Sequence, residues 1–426
     1  MILATLLFLF ALFILLGVPM AYILGLVPAA YFMLTSGTIP SIIIPQKIVG
    51  GCTSFTLMAI PFFVLAGNLM NGGGITKRLI RFCNALVGHI RGGLAVADVI
   101  CAMFLGGISG SANADTAALG VALVPEMVEQ GYDKDFSMGL TVAANTVGPI
   151  IPPSISMVVY GSLAGVSVGS LFLGGFIPGV IIGVVLSIMA IIYSSVRKYP
   201  KTGKFSLRNL WSSFRQAIVA LGMPIIILGG VLTGICTPTE AAAIAVVYSF
   251  IVGFFVFRSF NMRSIYSILE DTIILSASIF VIIGFSNILA YLVAAEQMPQ
   301  QICDWLLAST GNNKYIVLLI INVILLIMGM FLDPSASLIL LTPILVPVAK
   351  ALGIDLIHLG VVVVMNVTIG LTTPPVGTCL YIGASLADIP VMRLFKAMAP
   401  FLAANIGVLL LVTYCEKLVT IFSSLV

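Results

Sequence analysis

The chain has 426 residues, of which 60% are hydrophobic and only 8% charged. A mean hydropathy of +1.22 excludes a water-soluble globular protein and makes this a polytopic membrane protein. Its net charge of +4 says less than where the charges lie, and no nucleic-acid partner is expected.

Apolar runs of about 20 residues, enough to cross about 30 Å of hydrocarbon as helix, recur throughout. A membrane β-barrel would instead show short alternating segments, so the predicted fold is all-α. Residues 1–35 read as two retained helices, because they lack a basic leader and a small-residue cleavage site. A span at 55–71 precedes GITKRLIRFCNALVG (74–88), which reads as an amphipathic helix at the membrane interface. Next come two apolar segments, 92–106 and 116–128, split by the small polar run GISGSANAD (107–115). Each is short for a span, so the pattern predicts a re-entrant helical hairpin with its polar tip at mid-membrane.

The span 136–165 carries VGPIIPPS (147–154) where backbone hydrogen bonds are hardest to replace, and 167–195 is a further span. Residues 196–216 hold Arg197, Lys198, Lys201, Lys204, Arg208 and Arg215 with no acid, which marks a cytoplasmic loop. Spans at 217–235, 238–257 and 272–292 follow, then a second interfacial segment at 297–308. A second hairpin, 315–330 and 338–350 around FLDPSAS (331–337), leads to a second broken span at 356–386 and a last helix at 397–423. Threading the chain from the basic loop puts fifteen Lys and Arg inside and four outside, with both termini outside.

The two broken spans belong to a repeat. With a constant offset of 222, residues 107–161 align without gaps on 329–383, giving fourteen identities in 55 positions. Half of them fall on glycine and proline, among them Gly148 with Gly370, Pro152 and Pro153 with Pro374 and Pro375, and Gly131 with Gly353. The threading runs the two copies in opposite directions, the inverted-repeat plan of secondary transporters. Domains follow as 1–71 N-terminal scaffold, 72–91 interfacial arm and 92–166 first transport half. Residues 167–263 are further scaffold, 264–313 scaffold helix and second arm, 314–388 second transport half, and 389–426 the C-terminal helix.

Proline removes a donor and clashes with the carbonyl one turn back, at about 3 kcal/mol or more, and the freed carbonyls must face protein or a polar cavity. Hard neutral oxygens of this kind suit Na⁺. One candidate site combines Ser109, Ser111 and Asn113 with the backbone of Val147, Gly148 and Pro149. The other combines Asp333, Ser335 and Ser337 with Thr368, Gly370, Thr372 and Thr373. Candidate substrate residues are Ser111, Asn113, Asp115, Asn145, Pro152, Ser335, Thr373 and Pro374. Asp115 and Asp333 are membrane-depth carboxylates, which default to function, although Asp also starts helices well. No Lys or Arg occurs in either tip or either break, so an anionic substrate would rely on helix N-termini and on the bound cations. Glu240 in TGICTPTEAAAIAVV is a further candidate, set against simple capping by Thr237 or Thr239. The seven cysteines and two histidines show no metal-site spacing.

GGISGSANADTAALG, NTVGPIIPPS, GICTPTEAAA, GMFLDPSASLILLTPILVPV and TIGLTTPPVG resemble the large membrane subunit of the tripartite ATP-independent periplasmic (TRAP) transporters, over essentially the whole chain. The resemblance implies a sodium-driven, non-enzymatic importer of organic acids in the bacterial inner membrane, working by an elevator movement. It also implies a separate small four-helix membrane subunit and a periplasmic binding protein. Sialic acid is the favoured substrate, with a C4-dicarboxylate or another organic acid as alternative. An ion channel is a remote alternative, and an intramembrane aspartyl protease is disfavoured because the repeat aligns each of Asp115 and Asp333 with a serine.

Overall fold

A computed structural model describes residues 2–34, 42–201, 205–311 and 313–423; Lys204 of the basic loop lies outside them. Among the described residues the chain is helical with no strand ladder. α1 (Ile2–Leu15) and α2 (Met20–Leu34) are followed by α3 (Ile43–Cys52), then a short turn into α4 (Ala59–Gly72). α5 (Ile75–Val87) leads to the first hairpin, α6 (Gly93–Ser109) and α7 (Ala112–Ala122), with a short α8 (Val124–Glu129). The first broken helix is α9 (Lys134–Ala144) and α10 (Ile155–Ala164). α11 (Val168–Val196), α12 (Leu207–Leu232), α13 (Pro238–Ile251) and α14 (Met262–Ala295) are long spans, and α15 (Met298–Thr310) is the second interfacial helix. The second hairpin is α16 (Lys314–Phe331) and α17 (Pro334–Ala351), and the second broken helix α18 (Leu356–Gly370) and α19 (Thr378–Ala387). α20 (Val391–Tyr414) and α21 (Lys417–Ser423) close the described chain. Among the described residues seven helices are long and apolar enough to cross a membrane, eight if the pair bent by 58° around residues 52–56 counts as one.

Four expectations need correction. α3 had no counterpart in the sequence reading, because the polar and glycine-rich stretch around it hides a ten-residue helix. The basic loop 196–216 is shorter than its charge pattern suggests: Ser206 caps α12 through the Asn209 N–H, so Arg208 and Arg215 lie on the helix, where long basic side chains can reach out to the interface. The span at 272–292 is part of a 34-residue helix begun by an Asn261–Ser264 capping box. Finally, the tips are tighter than the polar runs. Only Gly110 and Ser111 interrupt the first hairpin, and only Leu332 and Asp333 the second, because alanine and serine are compatible with helix and Ser111 and Asp333 restart it at once as N-caps. The arms of the second hairpin are 18 residues each, long enough by themselves to span.

Side-chain contacts along α20 establish the inversion. Arg393 at its start bonds Asp135 at the start of α9, and Asn405 further along bonds Thr146 just past the end of α9. His358 at the start of α18 instead meets the carbonyl of Val412 at the far end of α20. α9 therefore runs with α20 and α18 against it. The repeat identities also acquire reasons: Gly131 and Gly353 both take left-handed backbone, at φ +90° and +63°, which only glycine adopts freely. Asp133 and Asp355 both stand at the N-caps that follow.

Each hairpin packs its return arm on the other repeat, α7 against α19 and α17 against α10. Tyr160, fully buried, donates across the same boundary to the Leu356 carbonyl at 2.8 Å. α11 lies on α6, α18, α20 and α21, whereas α14 lies on α2, α3 and α4, and α4 on α13. α5 presents Ile75, Leu79, Ile80, Phe82 and Cys83 as one buried face and sits between α6 and α12; α15 packs against α17.

At one end of the bundle the Asp133 carboxylate meets Tyr199 at 2.6 Å and the Arg197 guanidinium. The Tyr199 hydroxyl, and then Arg197 by hydrogen bond and charge, hold the Asp133 carboxyl below its ordinary range. A depressed carboxyl contributes stability above its unfolded value and loses it as pH falls through the folded one. Acidification below about pH 4 is therefore expected to loosen this contact. Both side chains are about half exposed, at 46% and 57%, so Asp133→Asn should cost no more than about 1 kcal/mol at neutral pH while removing that acid-sensitive component, as thermal unfolding in detergent across pH would report.

Candidate functional site

In the first tip α6 ends where Gly110 turns left-handed, and α7 restarts with Ser111 as N-cap, accepting from the Ala114 N–H. Ser109 donates its hydroxyl to Asp115 Oδ1 at 2.6 Å and accepts the Ser111 N–H at 3.1 Å. Asp115 is fully buried, and its Oδ2 has no protein donor among the described residues. That oxygen lies against Gly148, where an added Cβ would stand 2.9 Å from it. Gly148 reaches this place because it rests on Gly106, whose own Cβ would come within 2.4 Å of the Gly148 Cα. The packing glycine is thus one residue before Gly107, the one that the repeat aligns. An orphaned buried carboxylate oxygen beside unwound backbone is a group that a small cation satisfies.

The second tip repeats the plan with different caps. Asp333 caps α17 by accepting the Ser335 N–H at 3.2 Å, so for this residue the helix-start role is realised. Gly370 rests on Gly329, a Cβ on the former falling 2.6 Å from the latter's Cα. Thr368 and Thr372 donate to the carbonyls of Val364 and Ile369, each at 2.7 Å, which leaves oxygen lone pairs to accept. The buried Ser337 hydroxyl has no partner among the described residues. Both breaks contain a cis prolyl bond, Pro152–Pro153 and Pro374–Pro375, and Ser154 caps α10 through the Met157 N–H.

The two tips and two breaks meet at one cleft of 370 Å³. Ser111, Asn113 and Pro149 from one repeat face Asp333, Ser335 and Leu371 from the other, and α14 closes the side with Leu275, Ser278, Ile279 and Ile282. Asp115, Asn145, Pro152, Thr373 and Pro374 do not line it. Asn145 is buried, its amide nitrogen committed to the Thr141 carbonyl at 2.8 Å, and the Pro152 carbonyl faces Gly107. Ser109, Val147 and Gly148 of the first repeat, and Ser337, Thr368, Gly370 and Thr372 of the second, are likewise not among its lining residues. Glu240 is elsewhere, closing a capping box with Thr237, the bland reading of that motif.

Sequence reasoning missed Ser156 and Ser278, which both line the cleft. Ser156 could have been found, since the offset of 222 pairs it with Thr378; Ser278 is one small residue in a long apolar helix. It also missed two buried polar links, Thr141 to Asp98 at 2.8 Å and Asn366 to Asn322 at 2.7 Å.

The model of the tripartite ATP-independent periplasmic transporter, DctM component, matches residues 7–418. The chain is 39% identical to the sialic acid TRAP transporter large permease protein SiaM of Vibrio cholerae, over 93% of this chain and 92% of that one. It is 42% identical to the C4-dicarboxylate TRAP transporter large permease protein DctM of Pseudomonas aeruginosa, over 84% of each. Its fold resembles that of the Alcanivorax borkumensis YdaH transporter, with a TM-score of 0.60 at 16% identity over 96% of this chain and 98% of that one. With the inverted halves and their shared cleft in place, the chain belongs to the DctM family, the large permease of TRAP transporters.

Proposed function

We propose that this permease imports an organic acid, sialic acid foremost, by coupling it to Na⁺, with the hairpin body moving as an elevator against a fixed frame. The observation that carries the reading is the convergence of both tips and both breaks on one cleft, with orphaned buried oxygens of Asp115 and Ser337, one in each hairpin. Sodium would be held on one side by Asp115, Ser109 and the carbonyls around Gly148, and on the other by Ser337, Thr368, Thr372 and the carbonyls around Gly370. Between them the acid would meet Ser111, Asn113, Ser156, Ser278 and Ser335, and no lysine or arginine. The cations then supply the countercharge, so each ligand favours binding of the other. The packing of α11 on the first hairpin and of α20 on both broken helices supports counting them with the moving body, although the sequence reading assigned residues 167–196 to the frame. α5 and α15 would be the arms between body and frame.

The working transporter would include a small four-helix membrane subunit and a periplasmic binding protein that delivers the acid. Uptake into proteoliposomes containing these partners, with Na⁺ varied and sialic acid compared with succinate, tests the proposal. Saturable uphill uptake driven by a sodium gradient is expected, whereas non-saturating flux would indicate a channel. A C4-dicarboxylate is the second reading, favoured by the similarity to the P. aeruginosa protein. Thr372→Ala removes one proposed ligand from a helix end and is expected to raise the half-saturating Na⁺ concentration about tenfold, with assembly unchanged by size-exclusion chromatography. Unchanged sodium affinity would remove Thr372 from the site.

A further inference from the structure

Asn113 is bound across the repeat boundary. Its Oδ1 accepts the Thr378 hydroxyl at 2.9 Å and the Cys379 thiol at 2.9 Å, both from the start of α19. An amide oxygen has two lone pairs, so both are taken and none is left for a cation. What remains is the amide nitrogen with two N–H donors, for which no protein partner is found among the described residues, on a residue that lines the cleft and also a second pocket beside Thr378. The offset of 222 shows what is special here. It pairs Asn113 with Ser335 and Thr378 with Ser156, so the same two positions recur at the other cross-repeat seam. There Ser335 and Ser156 both line the cleft and make no bond to each other. One seam is pinned by side-chain bonds and the symmetry-related one is left open as a wall of the cleft.

We infer that Thr378 and Cys379 are positioning residues: by occupying the Asn113 oxygen they turn its N–H groups into the cleft, where Asn113 binds the carboxylate of the acid and is no sodium ligand. This rests on the proposed transport of an organic acid through the cleft. It replaces the dual part that the sequence suggested for Asn113 by a single one. A neutral amide suits the task, because two N–H donors can reach a carboxylate without the desolvation cost of burying a permanent cation.

The test is sodium-driven uptake by the complete transporter in proteoliposomes, with N-acetylneuraminate and succinate as probes. KM, kcat and half-saturating Na⁺ are each measured. The double variant Thr378→Val/Cys379→Ala is expected to raise KM about tenfold with kcat and sodium affinity within about twofold. Cys379→Ser, whose hydroxyl can still donate, should rescue the single Cys379→Ala defect. Asn113→Asp keeps the shape and the two accepted bonds but replaces the donors by a second oxygen carrying negative charge, and should raise KM about 100-fold. It also covers the case in which the double variant fails to assemble. A shift in sodium affinity with KM unmoved, or an unmoved KM in Asn113→Asp, would overturn the assignment. Wild-type uptake that ignores sodium would instead fault the underlying transport reading, since the variant-to-wild-type KM ratio is decided independently of it.

Discussion

Gly370→Ala is expected to abolish uptake. The new methyl would lie 2.6 Å from both the Cα and the carbonyl carbon of Gly329, and backbone, unlike the end of a long side chain, cannot swing aside. Overpacking a core by a methylene costs about 1–3 kcal/mol, and here relief would require pushing the second hairpin off its broken helix, which would separate the groups proposed to share a cation. Gly106→Ala should behave alike in the first repeat, where the clash is 2.4 Å from the Gly148 Cα. Gly407, on α20, has nothing within 4 Å of its would-be Cβ; Gly407→Ala is the control and should leave uptake intact while stabilising the helix by up to about 1 kcal/mol. Uptake assays paired with thermal unfolding in detergent decide the matter. Wild-type transport in Gly370→Ala would mean that the close approach of hairpin and break has no functional weight.

Asp115→Asn separates charge from shape. The amide oxygen can still accept from Ser109, so the tip should keep its fold and elution profile. The orphaned position beside Gly148 loses its negative charge, and half-saturating Na⁺ is expected to rise about 100-fold or more, an amount in keeping with losing a charge-assisted contact in a site sealed from water. Sodium titration of uptake at saturating substrate provides the number, and an unchanged titration would rule out Asp115 as a cation ligand.

The parts of this structure that are legible in the sequence are those where the backbone itself is constrained. The breaks at 148–153 and 370–375 announce themselves because proline and glycine act on the chain that carries them, and the offset of 222 survives because left-handed turns at Gly131 and Gly353 and the crowded contacts at Gly148 and Gly370 admit no side chain. Boundaries were less legible. A window of apolar residues starts α12 and α14 too late, since Arg208, Arg215 and Arg263 are tolerated on helices whose ends reach the interface. Polar composition exaggerates the tips, since serine and alanine at positions 109 and 112 remain helical. Least legible were contacts between segments far apart in the chain. Nothing local says that Asn113 is held by Thr378 and Cys379, or that Ser278 on α14 faces the cleft, because those facts depend on which helices become neighbours.

That neighbourhood has a historical corollary. Because α7 is completed by α19 and α17 by α10, half of this chain leaves an unmatched surface on its hairpin and another on its broken helix. A lone half of this kind could cover them only with an upside-down twin, which would require it to enter the bilayer both ways up with comparable frequency. On the threading read from the sequence, the excess of lysine and arginine on one face would then be compatible only with halves already fused, each with a permanent companion of opposite orientation.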